Sequence, residues 1–210
     1  MTKFKNMLNW NSKEMVRVFE RAIDDYHITD SVDFIPQNPF RGEEVKSVLY
    51  DKCMIDTIQW HLEDIIRDPN IDDAYGMEIK RRIDRSNQVR TETVEKIDDA
   101  LLKEISPKEF VPEARLNTES PGWAIDRLSI LCLKIFHMNI EANRVDADNQ
   151  HKTQCLNKLH VLKEQQKDLC LAVDQLIDDI RKGKRIARVY HQMKMYNDES
   201  LNPVLYGKKS

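Results

Sequence analysis

The sequence predicts an all-α protein: an antiparallel bundle of four long helices, with a short N-terminal helix and a C-terminal helix packed alongside. The chain of 210 residues has only 5 Gly and 7 Pro, with 33% charged and 40% hydrophobic residues, as is typical of long helices. Apolar residues recur with the helical period along the chain, and runs of β-branched residues are missing. We expect residues 1–195 to form a single helical-bundle domain and residues 196–210 an extended C-terminal tail.

The first two helices are predicted from their ends. Asn11 and Glu14 have the spacing of a capping box, which places the N-terminal helix from Asn11 to Ile28. The second helix runs from Glu43 to Arg67, because the residue before Pro69 avoids the α region. A short turn follows, which predicts an antiparallel third helix. The expected core stripe of helix two is Val48, Ile55, Ile58, Leu62 and Ile65.

The third helix, from Asp72 to Leu102, carries an apolar stripe on one face: Ile79, Ile83, Val94, Ile97 and Leu101. The fourth is predicted from Ser120 as N-cap and Pro121 at the first helical position. It is apolar almost all round as far as Ile140, which predicts a central buried helix.

The fifth helix, from Asp148 to Arg181, carries apolar residues at seven-residue intervals. This seam is like that of a coiled coil, and its stretch Leu162–Ile180 allows a structural homodimer. Gly183 ends the helix, and Lys184 to Met195 is predicted to form one more short helix.

The composition also limits which classes of function are expected. The net charge of −3 gives no reason to expect nucleic-acid binding. The first nine residues lack the apolar core of about 7–15 residues found in signal peptides, and no apolar run of about 18 residues occurs. The four cysteines form no C-x-x-C pair, so we interpret them as small buried hydrophobes in a reducing compartment. A cytoplasmic protein without membrane contact is expected.

A polar interruption of helix three is the feature most informative about function. Ser86, Asn87 and Arg90 lie within its apolar stripe. Burying an amide without partners costs about 2–7 kcal/mol, and burying a charge costs more. Neighbouring helices must therefore bring acids to this level, and Glu63 of helix two and Asp126 of helix four are the expected partners of Arg90, with Asp56 a further one.

Two interpretations of this polar layer stay open. In the first, Glu63, Arg67, Asn87, Arg90 and Asp126 line a binding site for a small anionic or sugar-like ligand, or for a protein partner, and the chain is an accessory or binding protein. In the second, the layer is a structural network of buried ion pairs, and from sequence the two look the same.

An enzyme is the alternative class. His61, Glu63 and Asp64 could hold a divalent ion such as Mg²⁺ or Mn²⁺ in a hydrolase or transferase acting on a phosphorylated or sugar-nucleotide substrate; no other cofactor is predicted. A ferritin-like di-metal site needs two E-x-x-H motifs. The chain offers only Asp24-x-x-His27 and Asp148-x-x-His151. No G-x-S-x-G motif and no glycine-rich phosphate loop is present.

Four stretches together carry a family resemblance: Gln59–Ile71, Arg81–Gln88, Asn117–Ser129 and Gln192–Asn197. The chain resembles a bacterial uncharacterised domain-of-unknown-function family, number 4254, over nearly its whole length. The resemblance implies an all-helical cytoplasmic protein with no established activity. It also implies a carbohydrate-pathway role in cell-envelope glycan assembly, since members are often encoded beside glycosyltransferases.

Overall fold

The computed structural model describes residues 10–191, 193 and 200–207, and this part of the chain is mostly helical with almost no strand. Its elements are α1 (Ser12–Thr29), α2 (Glu44–Ile65), α3 (Asp73–Ile105), β1 (Arg115–Leu116), α4 (Pro121–Ala142), α5 (Asn149–Arg181), β2 (Arg185–Ile186) and the single turn α6 (Pro203–Tyr206). The five longer helices therefore lie where the sequence predicts them.

Side chains cap three of the long helices, whereas Ser120 precedes α4 as predicted but its side chain makes no cap hydrogen bond. Asn11 accepts a hydrogen bond of 3.0 Å from the backbone N–H of Glu14 at the start of α1. Asp72 and Asp148 cap α3 and α5 in the same way. Such a cap satisfies a backbone donor that has no partner within the helix, so it fixes where each helix begins.

The predicted helix from Lys184 to Met195 is wrong for the residues that the structure describes. There β2 pairs in parallel with β1, Arg115 opposite Arg185 and Leu116 opposite Ile186. Gly183 precedes β2 with a φ of +69°, which a residue with a side chain rarely adopts. The backbone groups that a helix would use are therefore occupied by long-range pairing.

The tail is not extended throughout. Pro203–Tyr206 forms one helical turn, with Asn202 accepting a hydrogen bond from the N–H of Val204. Residues 192, 194–199 and 208–210 lie outside the described residues.

The main core contains residues from all five long helices, α1 through α5. The predicted stripe of α3 is buried throughout, with Val94, Ile97 and Leu101 fully inaccessible. In α2 the buried face is rotated from the predicted one. Of its expected stripe only Leu62 is buried, whereas Lys52 and Asp56 lie inside the protein.

The seam of α5 packs within the chain itself. Val173, Ile177 and Ile180 belong to the main core, and Leu169 and Leu176 pack against it. The apolar stripe considered for a dimer is thus largely covered by the other helices of the same chain. Cys53, Cys132 and Cys155 are buried free thiols, as expected, and Cys170 is half-buried.

Among the described residues, no helix combines the length and the apolar character that crossing a membrane requires.

Candidate functional site

A layer of four charged residues lies at the junction of three helices: Lys52 and Asp56 from α2, Arg90 from α3 and Asp126 from α4. We call it the charged layer. The side chain of Lys52 is fully buried, those of Asp56 and Asp126 are 3% and 4% exposed, and that of Arg90 is 24% exposed. Only the arginine reaches towards solvent.

Each acid of the layer contacts both cations. Asp126 Oδ2 accepts a hydrogen bond of 2.5 Å from Arg90 Nη2, and its Oδ1 lies 2.7 Å from Lys52 Nζ. Asp56 accepts hydrogen bonds from Lys52 and, at 2.6 Å, from the hydroxyl of Ser129. Asp56 Oδ1 lies 3.2 Å from Arg90 Nε as an ion pair. Two cations and two anions thus balance in formal charge.

Burial dominates the electrostatics of Asp56. Desolvation raises the pKa of its carboxyl group, while the ammonium of Lys52 and the hydroxyl of Ser129 oppose this rise. The charged form of a buried acid of this kind depends on its partners, so each member of the layer depends on the others.

A cleft of about 320 Å³ opens beside the charged layer. Its polar lining comes from α2, from Arg67 just after α2 and from Arg90 of α3, and its apolar lining comes from α2 and α4. The lining residues are Asp56, Gln59, Trp60, Glu63, Asp64, Arg67, Arg90, Ile130 and Leu133.

The structure confirms part of the predicted partnership. Arg90 meets Asp126 and Asp56, as expected, but Glu63 does not pair with it. Glu63 instead forms an exposed ion pair of 2.9 Å with Arg67, and both line the cleft. Asn87 lies on the exposed side of α3 and accepts a hydrogen bond of 2.8 Å from Gln59.

Lys52 and Ser129 are members of the site that the sequence reasoning missed. Lys52 lies four residues before Asp56, so the two side chains lie one turn apart on the same face of α2. A lysine is rarely buried without a partner. The i, i+4 spacing to Asp56 was the available signal, but it is equally common on exposed helices.

Gly122 brings α4 close to α3. Its backbone N–H donates a hydrogen bond of 2.6 Å to the buried carboxylate of Asp98. A Cβ at Gly122 would lie 2.6 Å from Asp98 Oδ2 and 2.8 Å from the carbonyl oxygen of Val94. Asp126 lies one helical turn after Gly122, so the close approach of the two helices places its carboxylate beside Arg90 of α3.

Three histidines form a second cluster, which we call the histidine cluster: His27 of α1, His61 of α2 and His137 of α4. His27 Nε2 and His61 Nε2 lie 3.3 Å apart. One ring nitrogen from each of the three residues lies within 4.8 Å of the others. Burial lowers the pKa of His61, and it lowers that of His137 to about 4, so both rings are neutral at pH 7.

The predicted metal set of His61, Glu63 and Asp64 is not assembled as one group. Asp64 Oδ2 lies 3.9 Å from His61 Nδ1, whereas Glu63 is paired with Arg67. The residues that do surround His61 come from α1 and α4.

Comparison with protein families matches residues 46–189 to DUF4254, described as a protein of unknown function. No curated protein and no solved structure matches the chain. The matched residues include the whole charged layer, the cleft and two of the three clustered histidines. The chain belongs to the DUF4254 family.

Proposed function

We propose that this protein is a cytoplasmic binding or accessory protein whose cleft holds a small, uncharged, sugar-like ligand. The observation that carries the proposal is the lining of the cleft, where one aromatic ring, Trp60, adjoins amide, carboxylate and guanidinium groups. Cavities that bind small molecules are about 300–1,000 Å³, and this cleft lies at the small end of that range.

Charge favours an uncharged ligand over an anion. The cleft is lined by three carboxylates and two guanidiniums, so its formal charge is −1. Arg90 is already paired with two acids, and Arg67 with Glu63. A phosphate would have to compete with these acids, whereas hydroxyl groups can donate to carboxylates and accept from guanidiniums at once.

Within this proposal the charged layer and the cleft have separate tasks. Lys52 and Asp126 do not line the cleft. Asp126 and Asp56 hold Arg90 at its edge, and Lys52 neutralises these two buried acids. Gln59, Trp60, Glu63 and Arg67 are the contact groups. The scaffold is an antiparallel bundle of four long helices, supported by the contacts of α2 with α3 and of α4 with α5.

The test is calorimetric titration, in the presence of a chelator, with a panel of neutral mono- and disaccharides and their phosphorylated counterparts. We expect saturable binding of a neutral sugar and a rise in melting temperature. Glu63→Gln should weaken it about 10-fold or more, because hydrogen bonds to charged groups contribute about 1.5–3 kcal/mol.

Glu164→Gln is the matched control, since Glu164 forms an exposed ion pair with Lys167 on α5, away from the cleft. It should leave binding unchanged. Binding of phosphorylated sugars alone would contradict the uncharged ligand. No binding across the whole panel would leave the charged layer with a structural role only.

A further inference from the structure

We propose that His27, His61 and His137 form a binding site for a transition-metal ion such as Zn²⁺. This inference is independent of the sugar-like ligand and concerns the opposite side of Trp60, whose ring lines the cleft and stacks on His137 with centroids 4.6 Å apart.

The spacing of the nitrogens fits a tetrahedral ion. In such a site each nitrogen lies about 2.0–2.1 Å from zinc, so two ligand nitrogens lie about 3.3 Å apart. His27 Nε2 and His61 Nε2 have this separation, 3.3 Å. One nitrogen of each of the three rings lies within 4.8 Å of the others, so His137 must approach by at most about 1.5 Å to complete the set.

Hydrogen bonding leaves a ligand atom of His27 directed into the cluster. His27 Nδ1 lies 2.7 Å from the carbonyl oxygen of Ile23, and a carbonyl can only accept. The proton therefore lies on Nδ1, and Nε2 presents its lone pair to the other rings. A backbone carbonyl on the outer nitrogen is the usual second partner of a metal-binding histidine.

His137 supplies an independent observation. Its Nε2 is buried and has no hydrogen-bond partner within the part of the chain that the structure describes. An unsatisfied buried nitrogen is costly, and a metal ion would satisfy it.

Aromatic side chains hold the three rings in place. Tyr26 stacks on His61 with centroids 4.9 Å apart, and Phe136 lies 4.3 Å from His27. The histidines come from three different helices of the core, so the cluster exists only in the folded chain. His61 is 21% exposed and gives access from solvent.

The ligand type indicates the class of metal. Imidazole nitrogens suit Zn²⁺, Cu²⁺, Ni²⁺ and Co²⁺, whereas Mg²⁺ and Ca²⁺ require mainly oxygen ligands. Three protein ligands leave a fourth position for water, as in catalytic zinc sites. Asp30 Oδ1 lies 4.0 Å from His61 Nε2 and is the carboxylate that contacts the cluster at that nitrogen.

The experiment titrates the chelator-treated full chain with Zn²⁺ by calorimetry and with Co²⁺ by visible absorption. We expect one equivalent of zinc per chain, and a cobalt spectrum of four- or five-coordinate geometry. His61→Gln and His137→Gln should each weaken zinc binding by at least about 100-fold, since loss of even an outer-shell partner costs about 10–100-fold.

His160→Gln, at an exposed position of α5, is the control and should bind zinc like the wild type. His151 lies beside Glu141 and Cys155, so a loss of binding in His151→Gln, with normal binding in His61→Gln, would overturn the proposal. Absence of saturable zinc and cobalt binding by the wild type would overturn it without any variant. Sugar binding is measured in chelator, so the two proposals fail separately.

Discussion

Replacing Lys52 by methionine should destabilise the protein strongly. The substitution keeps an unbranched side chain, one atom shorter, but leaves Asp56 and Asp126, 3% and 4% exposed, with Arg90 as their remaining cation. Breaking a buried ion pair by removing one partner costs about 3–5 kcal/mol. For a chain of this size that corresponds to a fall in melting temperature of about 6–20 °C.

The assay is chemical and thermal unfolding of the wild type and two lysine variants. Lys80→Met is the matched control, because Lys80 and Asp84 form the same i, i+4 pair with side chains that are 54% and 53% exposed. Such exposed helical pairs contribute about 0.3–0.5 kcal/mol. A loss for Lys52→Met within about 1 kcal/mol of that for Lys80→Met would refute the reasoning.

A double variant separates charge balance from lost packing. Lys52→Met with Asp56→Asn leaves one cation, Arg90, opposite one anion, Asp126. We expect the double variant to be more stable than the sum of the two single losses predicts, with a coupling of about 0.5–3 kcal/mol. Additive losses would show that the four charges do not act as one network.

Three further outcomes follow from the same contacts. Arg90→Ala should cost about 1–3 kcal/mol in unfolding free energy, less than Lys52→Met, because water reaches the partly exposed guanidinium; an equal or larger loss would contradict this order. Gly122→Ala should destabilise by about 1–3 kcal/mol through overpacking against α3, whereas Gly76→Ala, whose Cβ would meet nothing closer than 3.7 Å, should not; equal melting temperatures would contradict the close approach of α3 and α4. Burial raises the pKa of Asp98 above its ordinary 3.8, so the folded chain takes up a proton before the unfolded chain as the pH falls. As the pH falls from neutral to about pH 4, the unfolding free energy of the wild type should therefore rise relative to that of Asp98→Asn. A pH-independent difference would contradict this.

Helical periodicity was sufficient to predict which face of α3 is buried and that Arg90 needs acids. It predicted Asp126 correctly but could not decide between Asp56 and Glu63 on α2, because that choice depends on how α2 is rotated and at what level it crosses α3. Glu63 lies seven residues after Asp56, about 10.5 Å further along α2. Because the buried face of α2 is rotated from the predicted one, Asp56 and not Glu63 pairs with Arg90, and Lys52 is buried as well.

Two other features depend on contacts far apart in the sequence. The apolar period after Gly183 resembles that of a helix, yet pairing of Arg185 with Arg115 overrides this local preference. The histidine cluster takes one residue from each of three helices, so no spacing within the sequence reveals it. Of the predicted metal ligands, only His61 has a place in it.

The pairing of β1 with β2 also fastens the open end of the α4–α5 hairpin. Arg115 and Arg185 lie seventy positions apart in the sequence. Their pairing closes α4, α5 and the connection at residues 143–148 into one loop. A protease that cuts after the exposed Arg144 would therefore produce a nicked protein whose two fragments stay associated.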